Sequence, residues 1–192
     1  LLERFTTAEN ATIVQDYTMA VIDDMIALTK SVLQEWQGSY RDTFVSNDGS
    51  SATASVDRFV NDYIFYYEKF LRAGKMGIPL GVFSNSSSVE RIEAFYKSDF
   101  SKELFVTGLN AVQDFFNGQH FGATTTGQGL AEYLRQLNAV KDGAALDVLI
   151  NDQFNGARNA VNGLGTFTDE LANNDPPSAM LMAYDQVQRV VP

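Results

Sequence analysis

Apolar residues recur at helical spacing over much of the chain, and the longest such stretch lies near its start. Between residues 8 and 37 they fall at steps of three or four, which draws one apolar stripe along a single predicted helix. The stripe contains Ile13, Tyr17, Val21, Met25, Leu28, Val32 and Trp36. Because such a stripe normally packs against a core, we expect Trp36 to be largely buried.

A second helix is predicted from residue 55 to about residue 73. It follows a polar loop of turn-forming residues over residues 46–55, and Ser55 is its predicted N-cap. Aromatic side chains crowd this helix, at Phe59, Tyr63, Tyr66, Tyr67 and Phe70. Core packing is the interpretation we favour for them, although tyrosine hydroxyls at the edge of a core also line polar pockets.

The rest of the chain continues the helical pattern after an irregular segment over residues 74–87, where Pro79 lacks an amide donor. Ser88 is expected to cap a short helix. Ser101 or Asp99 should cap a helix that runs to Asn117 and ends at Gly118.

Three more helices are predicted near the C-terminal end of the sequence. A short one begins at Leu130, a longer one covers residues 144–163, and a loop is expected over residues 162–175. The last helix should begin with Asp175 as N-cap and Pro176 in its first position.

The pattern of apolar positions favours one fold class. No segment alternates with period two over the length of a strand, and no hairpin dipeptide joins two such runs. We therefore predict an all-α protein, an antiparallel helical bundle with a long irregular connection and short extra helices. With 192 residues, of which 45% are hydrophobic, the chain can bury a core of its own, and we assign residues 1–192 to a single helical-bundle domain.

Composition and charge exclude several classes of partner and site. The formal net charge of −10 disfavours nucleic acid, because phosphate binding needs clustered Lys and Arg. No apolar run approaches the ~20 residues of a membrane span, so no transmembrane segment is predicted. The absence of Cys excludes disulfides and thiolate metal sites. The sequence begins without Met and without a signal peptide, so we expect a mature or trimmed piece of something longer.

Few residues are suited to catalysis or metal binding. The single histidine, His120, stands in a glycine-flanked loop, whereas a zinc site needs three or four protein ligands. Two carboxylate pairs, Glu90 with Glu93 and Asp23 with Asp24, could hold a hard cation only if other oxygens converged on them. A capped, solvated helix end is the interpretation we favour for both pairs. We therefore predict no catalytic residue and no metal ligand in this chain.

Arg72 and Lys75 lie at the start of the irregular segment, one just before it and one just inside it, and allow two interpretations. Both side chains suit the C-terminal end of a helix dipole. Alternatively, they face a polar pocket that residues 74–87 help to build.

The order of five segments resembles the imelysin family of bacterial envelope proteins, which are tied to iron uptake and some of which are described as peptidases. DYTMAVIDDMIALTKSVLQEW, residues 16–36, looks like the family's long helix that ends in Trp. GKMGIPLGVF, residues 74–83, looks like its linker, and VERIEAFYKSDFSKELFVTGLNAVQDFFNG, residues 89–118, is similar to the acidic turn and helix that follow. GLAEYLRQLNA and LINDQFNGARNAVNGL resemble its closing helices.

The chain departs from the family at its Gly-x-His-x-x-Glu signature, because Ala123 stands three residues after His120. The resemblance therefore implies the C-terminal half of a larger two-bundle protein, whose N-terminal half would carry the signature and would be this chain's partner. The two bundles of such a protein pack around a pocket. One wall of that pocket would come from the matched segments, and its candidate ligand-pocket residues are Arg72, Lys75, Glu90, Glu93, Tyr96 and Ser101.

The resemblance implies a non-catalytic binding domain of a periplasmic or surface-anchored bacterial lipoprotein associated with iron uptake. The alternative is part of a metallopeptidase whose metal ligands lie on the N-terminal half. A third possibility is a purely structural or interaction domain. Iron or another divalent metal is the implied cofactor, held together with that half, and the ligand itself is not identified by the sequence.

Overall fold

A computed structural model describes residues 2–49, 51 and 53–191, without the side chains of residues 98 and 99. The described chain is predominantly helical, which confirms the all-α prediction. Its α-helices are α1 Leu2–Thr6, α2 Ala11–Gln37, α3 Ser39–Ser46, α4 Ser55–Phe65, α5 Ser101–Phe116, α6 Leu130–Gln136, α7 Leu146–Asn162, α8 Phe167–Ala172 and α9 Ser178–Gln188. A π-helical segment, Tyr66–Gly77, continues α4, and the 3₁₀ turns Val89–Arg91 and Phe95–Phe100 precede α5.

The chain forms two compact units, Leu1–Asp62 and Tyr63–Pro192. The assignment of residues 1–192 to a single domain stays a prediction.

In the first unit, the apolar stripe of α2 is not buried. Every residue of the predicted stripe is exposed, and Trp36 retains 38% of its surface, so the expectation that Trp36 is largely buried was wrong. The main neighbours of α2 within this unit are α1 and α3, which are only 5 and 8 residues long. Such short helices cover little of a 27-residue helix, which is roughly 40 Å long.

The second unit contains the hydrophobic core. Buried side chains fall one turn apart on its helices, as at Phe105 and Leu109 of α5, so each helix turns one apolar face inward. The largest fully buried side chains of the core include Tyr67, Leu71, Met76, Phe105, Leu109, Phe154, Phe167, Met180 and Val187. The rings of Tyr67 and Phe154 meet edge to face, with 5.9 Å between their centres. This core holds the π-helical segment against α5 and α9.

The helix predicted from residue 55 to about residue 73 continues to Gly77 in the structure. Its second half, Tyr66–Gly77, is the π-helical segment. Wide turns continue past its end, since the amide of Ile78 donates to the carbonyl of Ala73, five residues back. Glycine suits this crowded backbone: a Cβ on Gly74 would lie 3.2 Å from the carbonyl oxygen of Lys69. π-Helical turns are rare and occur frequently at functional sites.

A small hairpin was missed by the sequence analysis. Strand β1, Val140–Lys141, pairs antiparallel with β2, Ala144–Ala145. The two residues between them, Asp142 and Gly143, both have positive φ angles, of 53° and 81°. An Asp-Gly dipeptide favours this two-residue turn. The strands were overlooked because two residues are too few to show alternation.

The predicted loop over residues 162–175 contains a helix, α8. Thr166 caps it, because its hydroxyl accepts a hydrogen bond from the amide of Asp169 at 3.1 Å. The following helix starts later than predicted, at Ser178 with Pro177 in the cap position, so the Asp175–Pro176 start was wrong.

The other predicted helix caps also differ from those in the structure. Ser55 and Ser101 are the first residues of α4 and α5 rather than their caps, and Phe100 stands at the cap of α5. The side chain of Asp99, the alternative cap, lies outside the described part of the chain. Ser88 precedes a single 3₁₀ turn and makes no side-chain capping hydrogen bond.

Candidate functional site

A cluster of charged and polar side chains lies where the π-helical segment meets α9. The segment places Glu68 and Arg72 four residues apart, and α9 brings Tyr184 against them. Nη1 of Arg72 donates a hydrogen bond to the hydroxyl of Tyr184 and lies 3.4 Å from Oε2 of Glu68. The guanidinium carbon lies 4.0 Å from the centre of the Tyr184 ring, which is a cation–π contact. We call Glu68, Arg72 and Tyr184 the π-helix cluster.

Two atoms of the π-helix cluster are buried without a hydrogen-bond partner among the described residues. They are Nε of Arg72, a donor, and Oε1 of Glu68, an acceptor. The cluster still reaches solvent, because Arg72 retains 12% and Glu68 29% of its side-chain surface. A buried donor or acceptor without a partner costs about 1–3 kcal/mol, and more when it is charged. A polar group that supplies one acceptor and one donor would remove that cost.

Tyr184 contributes a neutral phenol to the cluster. Burial raises the pKa of its hydroxyl, the charge of Glu68 raises it further, and the charge of Arg72 acts in the opposite direction. The phenol therefore stays protonated at neutral pH. Its oxygen accepts from Arg72, and its own O–H remains able to donate to a further group.

Gly77, the last residue of the π-helical segment, allows Tyr184 to approach the backbone. A Cβ at this position would lie 3.0 Å from both Cε2 and the hydroxyl oxygen of Tyr184, and 3.2 Å from Cε2 of Phe83. Any side chain would therefore displace the ring that contacts Arg72. The glycine at the centre of the segment GKMGIP thus has a direct role in shaping the cluster.

A second charged contact lies on the same segment. Nζ of Lys75 forms a short ion pair with Oε2 of Glu93, which follows the 3₁₀ turn Val89–Arg91. Lys75 is mostly buried, whereas Glu93 is more exposed. This pair ties the π-helical segment to the irregular connection that follows it.

Two tyrosines fix the helix that carries the cluster. The hydroxyl of Tyr67 donates to the carbonyl of Val187 at 2.7 Å, and that of Tyr63 donates to the carbonyl of Val112 at 2.8 Å. Burial raises the pKa of both phenols above its ordinary value. These bonds attach the π-helical segment to α9 and the end of α4 to α5, so the position of Arg72 is set by the core.

The six predicted pocket residues have different surroundings. Arg72 belongs to the π-helix cluster, and Lys75 and Glu93 pair beside it. The structure does not bring the other three into the cluster. Glu90 is exposed, Tyr96 retains 87% of its surface, and Ser101 is buried at the start of α5. A role in ligand binding stays a prediction for all six.

Sequence reasoning missed Glu68 and Tyr184. Glu68 precedes Arg72 by four residues, and an acid and a base at this spacing are a recognisable helical pair. Tyr184 had no such signal, because 112 residues separate it from Arg72 along the chain. Only the tertiary structure brings these two side chains together.

No group of three or more His, Asp or Glu side chains in the described residues could hold a metal ion. His120 is exposed in the loop between α5 and α6. The π-helix cluster does not fit a bare iron ion, because the Arg72 cation lies beside its one carboxylate and the Tyr184 phenol stays protonated. No helix in the described part of the chain combines the length and apolar character needed to cross a membrane.

The family model named Peptidase M75, described as imelysin, matches residues 4–190, nearly the whole chain. No curated protein and no solved structure gives a significant match. The extent of the family match gives no support to a missing N-terminal half as the partner of this chain. Two further observations agree with the family assignment, the helical fold and the order of the segments that surround the π-helical segment. The chain belongs to the imelysin family.

Proposed function

We propose that this chain is a non-catalytic binding protein that recognises a small polar ligand at the π-helix cluster. The observation that carries the proposal is the pair of buried atoms without partners, Nε of Arg72 and Oε1 of Glu68. They lie on one rare π-helical segment and are held in place by the core. A binding role needs only these contacts, whereas hydrolysis would also need an activated water.

The chemistry of the two atoms indicates the class of ligand. Arg72 needs an acceptor and binds carboxylates well, because its planar donors match the carboxylate oxygens. Glu68 needs a donor, such as a hydroxyl group. A hydroxycarboxylate supplies both groups within a few bonds. We therefore propose a hydroxycarboxylate ligand such as citrate, free or as a ferric complex.

A hydroxycarboxylate is also consistent with the role in iron uptake that family membership suggests. Citrate-like molecules hold Fe³⁺ through oxygen atoms, so iron would reach this protein as a chelate and not as a bare ion. This is compatible with a donor set that suits an anion better than a cation. We propose that the protein acts outside the bacterial cytoplasm, in the periplasm or anchored at the cell surface.

Thermal melting tests the proposal. We expect citrate or ferric citrate at about 100 times its Kd to stabilise the protein by about 2.7 kcal/mol, which raises the Tm by roughly 5–10 °C. Arg72→Lys should abolish most of this shift, because lysine keeps the charge but lacks Nε. Arg41→Lys is the matched control, since Arg41 forms an exposed ion pair with Asp42 in the other unit.

The melting experiment also discriminates between the hypotheses. Mg²⁺, Fe²⁺ and succinate, a dicarboxylate without a hydroxyl, are the comparison additives. A shift with Mg²⁺ or Fe²⁺ alone would favour a metal site. The absence of any shift with every additive would favour a structural or interaction domain and would contradict the proposal.

A further inference from the structure

The first unit contains a cavity of about 270 Å³ that shares no residue with the π-helix cluster. Residues at the end of α2, along α3 and on α4 line this cavity. Four aromatic side chains form its walls, and two charged side chains stand at its rim. The walls are Trp36, Tyr40, Phe44 and Phe59, and the rim residues are Arg58 and Asp62.

The aromatic walls form one continuous cluster. Trp36 lies 5.0 Å from Tyr40 and 5.1 Å from Phe44, measured between ring centres, and Phe44 lies 6.3 Å from Phe59. These distances are typical of packed aromatic pairs, so the rings support one another in fixed positions. Trp36 and Tyr40 both remain partly open to solvent, which gives a ligand access to their faces. Such faces attract apolar groups and cations.

The two rim charges have opposite signs and form no ion pair within the described part of the chain. Arg58 and Asp62 are four residues apart on α4, yet neither side chain forms a hydrogen bond or ion pair with the described residues. An acid and a base at this spacing commonly pair. Here both remain available beside the aromatic walls. A ligand that carries a carboxylate and an ammonium group would match them.

We propose that this cavity binds a small zwitterion, a free amino acid with an apolar or aromatic side chain. Its carboxylate would bind Arg58, its ammonium group would bind Asp62, and its side chain would lie against the aromatic walls. The volume indicates a small ligand, because 270 Å³ lies just below the range typical of small-molecule sites. A single amino acid matches this volume.

Trp36 makes the proposal directly testable, because it is the only tryptophan among the 192 residues. Excitation at a wavelength selective for tryptophan therefore reports on the cavity alone. L-phenylalanine is the probe, since it does not absorb there. Phenethylamine lacks the carboxylate and 3-phenylpropionate lacks the ammonium group, so the three compounds separate the contributions of the two charges.

We expect L-phenylalanine to change the Trp36 emission in a saturable way, with each one-charge analogue binding about tenfold more weakly or worse. Arg58→Gln should weaken L-phenylalanine binding about tenfold and leave phenethylamine binding unchanged. Asp62→Asn should weaken L-phenylalanine binding similarly and leave 3-phenylpropionate binding unchanged. Asp57→Asn is the matched control, because Asp57 is exposed on the same helix but does not line the cavity.

Two results would overturn the proposal. One is the absence of a saturable emission change with L-phenylalanine. The other is equal binding of all three compounds, or binding that Arg58→Gln and Asp62→Asn leave unchanged while their circular dichroism matches the parent protein. Arg72→Lys should have no effect on this titration, so the outcome is independent of the ligand at the π-helix cluster.

Discussion

Tyr67 shows how a single residue connects the core to the candidate site. Its hydroxyl is bonded to the Val187 carbonyl, and its ring packs against Phe154. The next residue, Glu68, belongs to the π-helix cluster. The sequence pattern predicted core packing for Tyr66, Tyr67 and Phe70 alike, which is right for Tyr67 and wrong for the exposed Tyr66 and Phe70. It also could not show that the Tyr67 hydroxyl bonds to α9, 120 residues away.

The pH dependence of stability tests the environment of Tyr67. Burial raises the pKa of its phenol above the ordinary value of about 10. Above about pH 10, the unfolded chain loses this proton while the folded protein keeps it, so the free energy of unfolding falls as pH rises. We expect Tyr67→Phe to cost roughly 0.5–1.5 kcal/mol at pH 7, from the lost hydrogen bond.

Urea unfolding of both proteins between pH 7 and pH 11 checks this prediction. The variant lacks the titrating phenol, so its disadvantage relative to the parent protein should shrink above about pH 10. A difference that stays constant through pH 11 would show that the Tyr67 phenol titrates equally in both states.

Gly77 is the second test at the scale of single residues. We expect Gly77→Ala to cost about 1–3 kcal/mol, because the new methyl group overlaps the buried ring of Tyr184. The displaced ring should also weaken ligand binding at the π-helix cluster. The control is Gly49→Ala, where a Cβ meets nothing within 4 Å. Equal losses of stability for both variants in denaturant melts would contradict the close approach of Tyr184 to Gly77.

At the scale of elements, apolar periodicity predicted most of the helices. It did not predict the residues at which several of them begin. The lengths of α2, α5 and α7 followed from runs of apolar residues one turn apart. The stripe on α2 identified the apolar face of this helix, but did not show whether other helices bury that face. The π-helical segment could not be predicted either, because apolar spacing indicates a helix without showing where its turns widen.

The missed helix α8 offers a test of capping. The hydroxyl of Thr166 accepts from the amide of Asp169, and α8 buries Phe167 and Leu171. We therefore expect Thr166→Ala to destabilise the protein by about 1 kcal/mol. Thr168, two residues later, has a buried hydroxyl without a partner among the described residues. Thr168→Val should be neutral or stabilising, because it removes an unpaired polar atom at similar volume.

Denaturant melts of the two threonine variants check this contrast. Equal losses of stability in the two variants would mean that the Thr166 cap does not itself stabilise α8. A large loss in Thr168→Val alone would mean that its hydroxyl has a partner, such as an ordered water.

At the scale of the whole molecule, the family assignment raises the question of peptidase activity. We expect this chain to show no metal-dependent cleavage of an unfolded protein substrate when Zn²⁺, Fe²⁺ or Mn²⁺ is added. Metal-dependent hydrolysis needs fixed ligands and an open position for water. The one histidine, His120, stands exposed in a loop. Chelator-sensitive cleavage that persists in His120→Ala would contradict this expectation and point to carboxylate ligands instead.

Recognition of a hydroxycarboxylate by the π-helix cluster is tested most directly by isothermal titration calorimetry. Citrate and ferric citrate are titrated into the 192-residue protein and into its Arg72→Lys, Glu68→Gln and Arg41→Lys variants. We expect saturable binding of about one ligand per chain, weakened about tenfold or more by Arg72→Lys and by Glu68→Gln, and unchanged by Arg41→Lys. The absence of saturable heat with both ligands, or binding that Arg72→Lys leaves intact, would contradict the assignment of the π-helix cluster as the binding site.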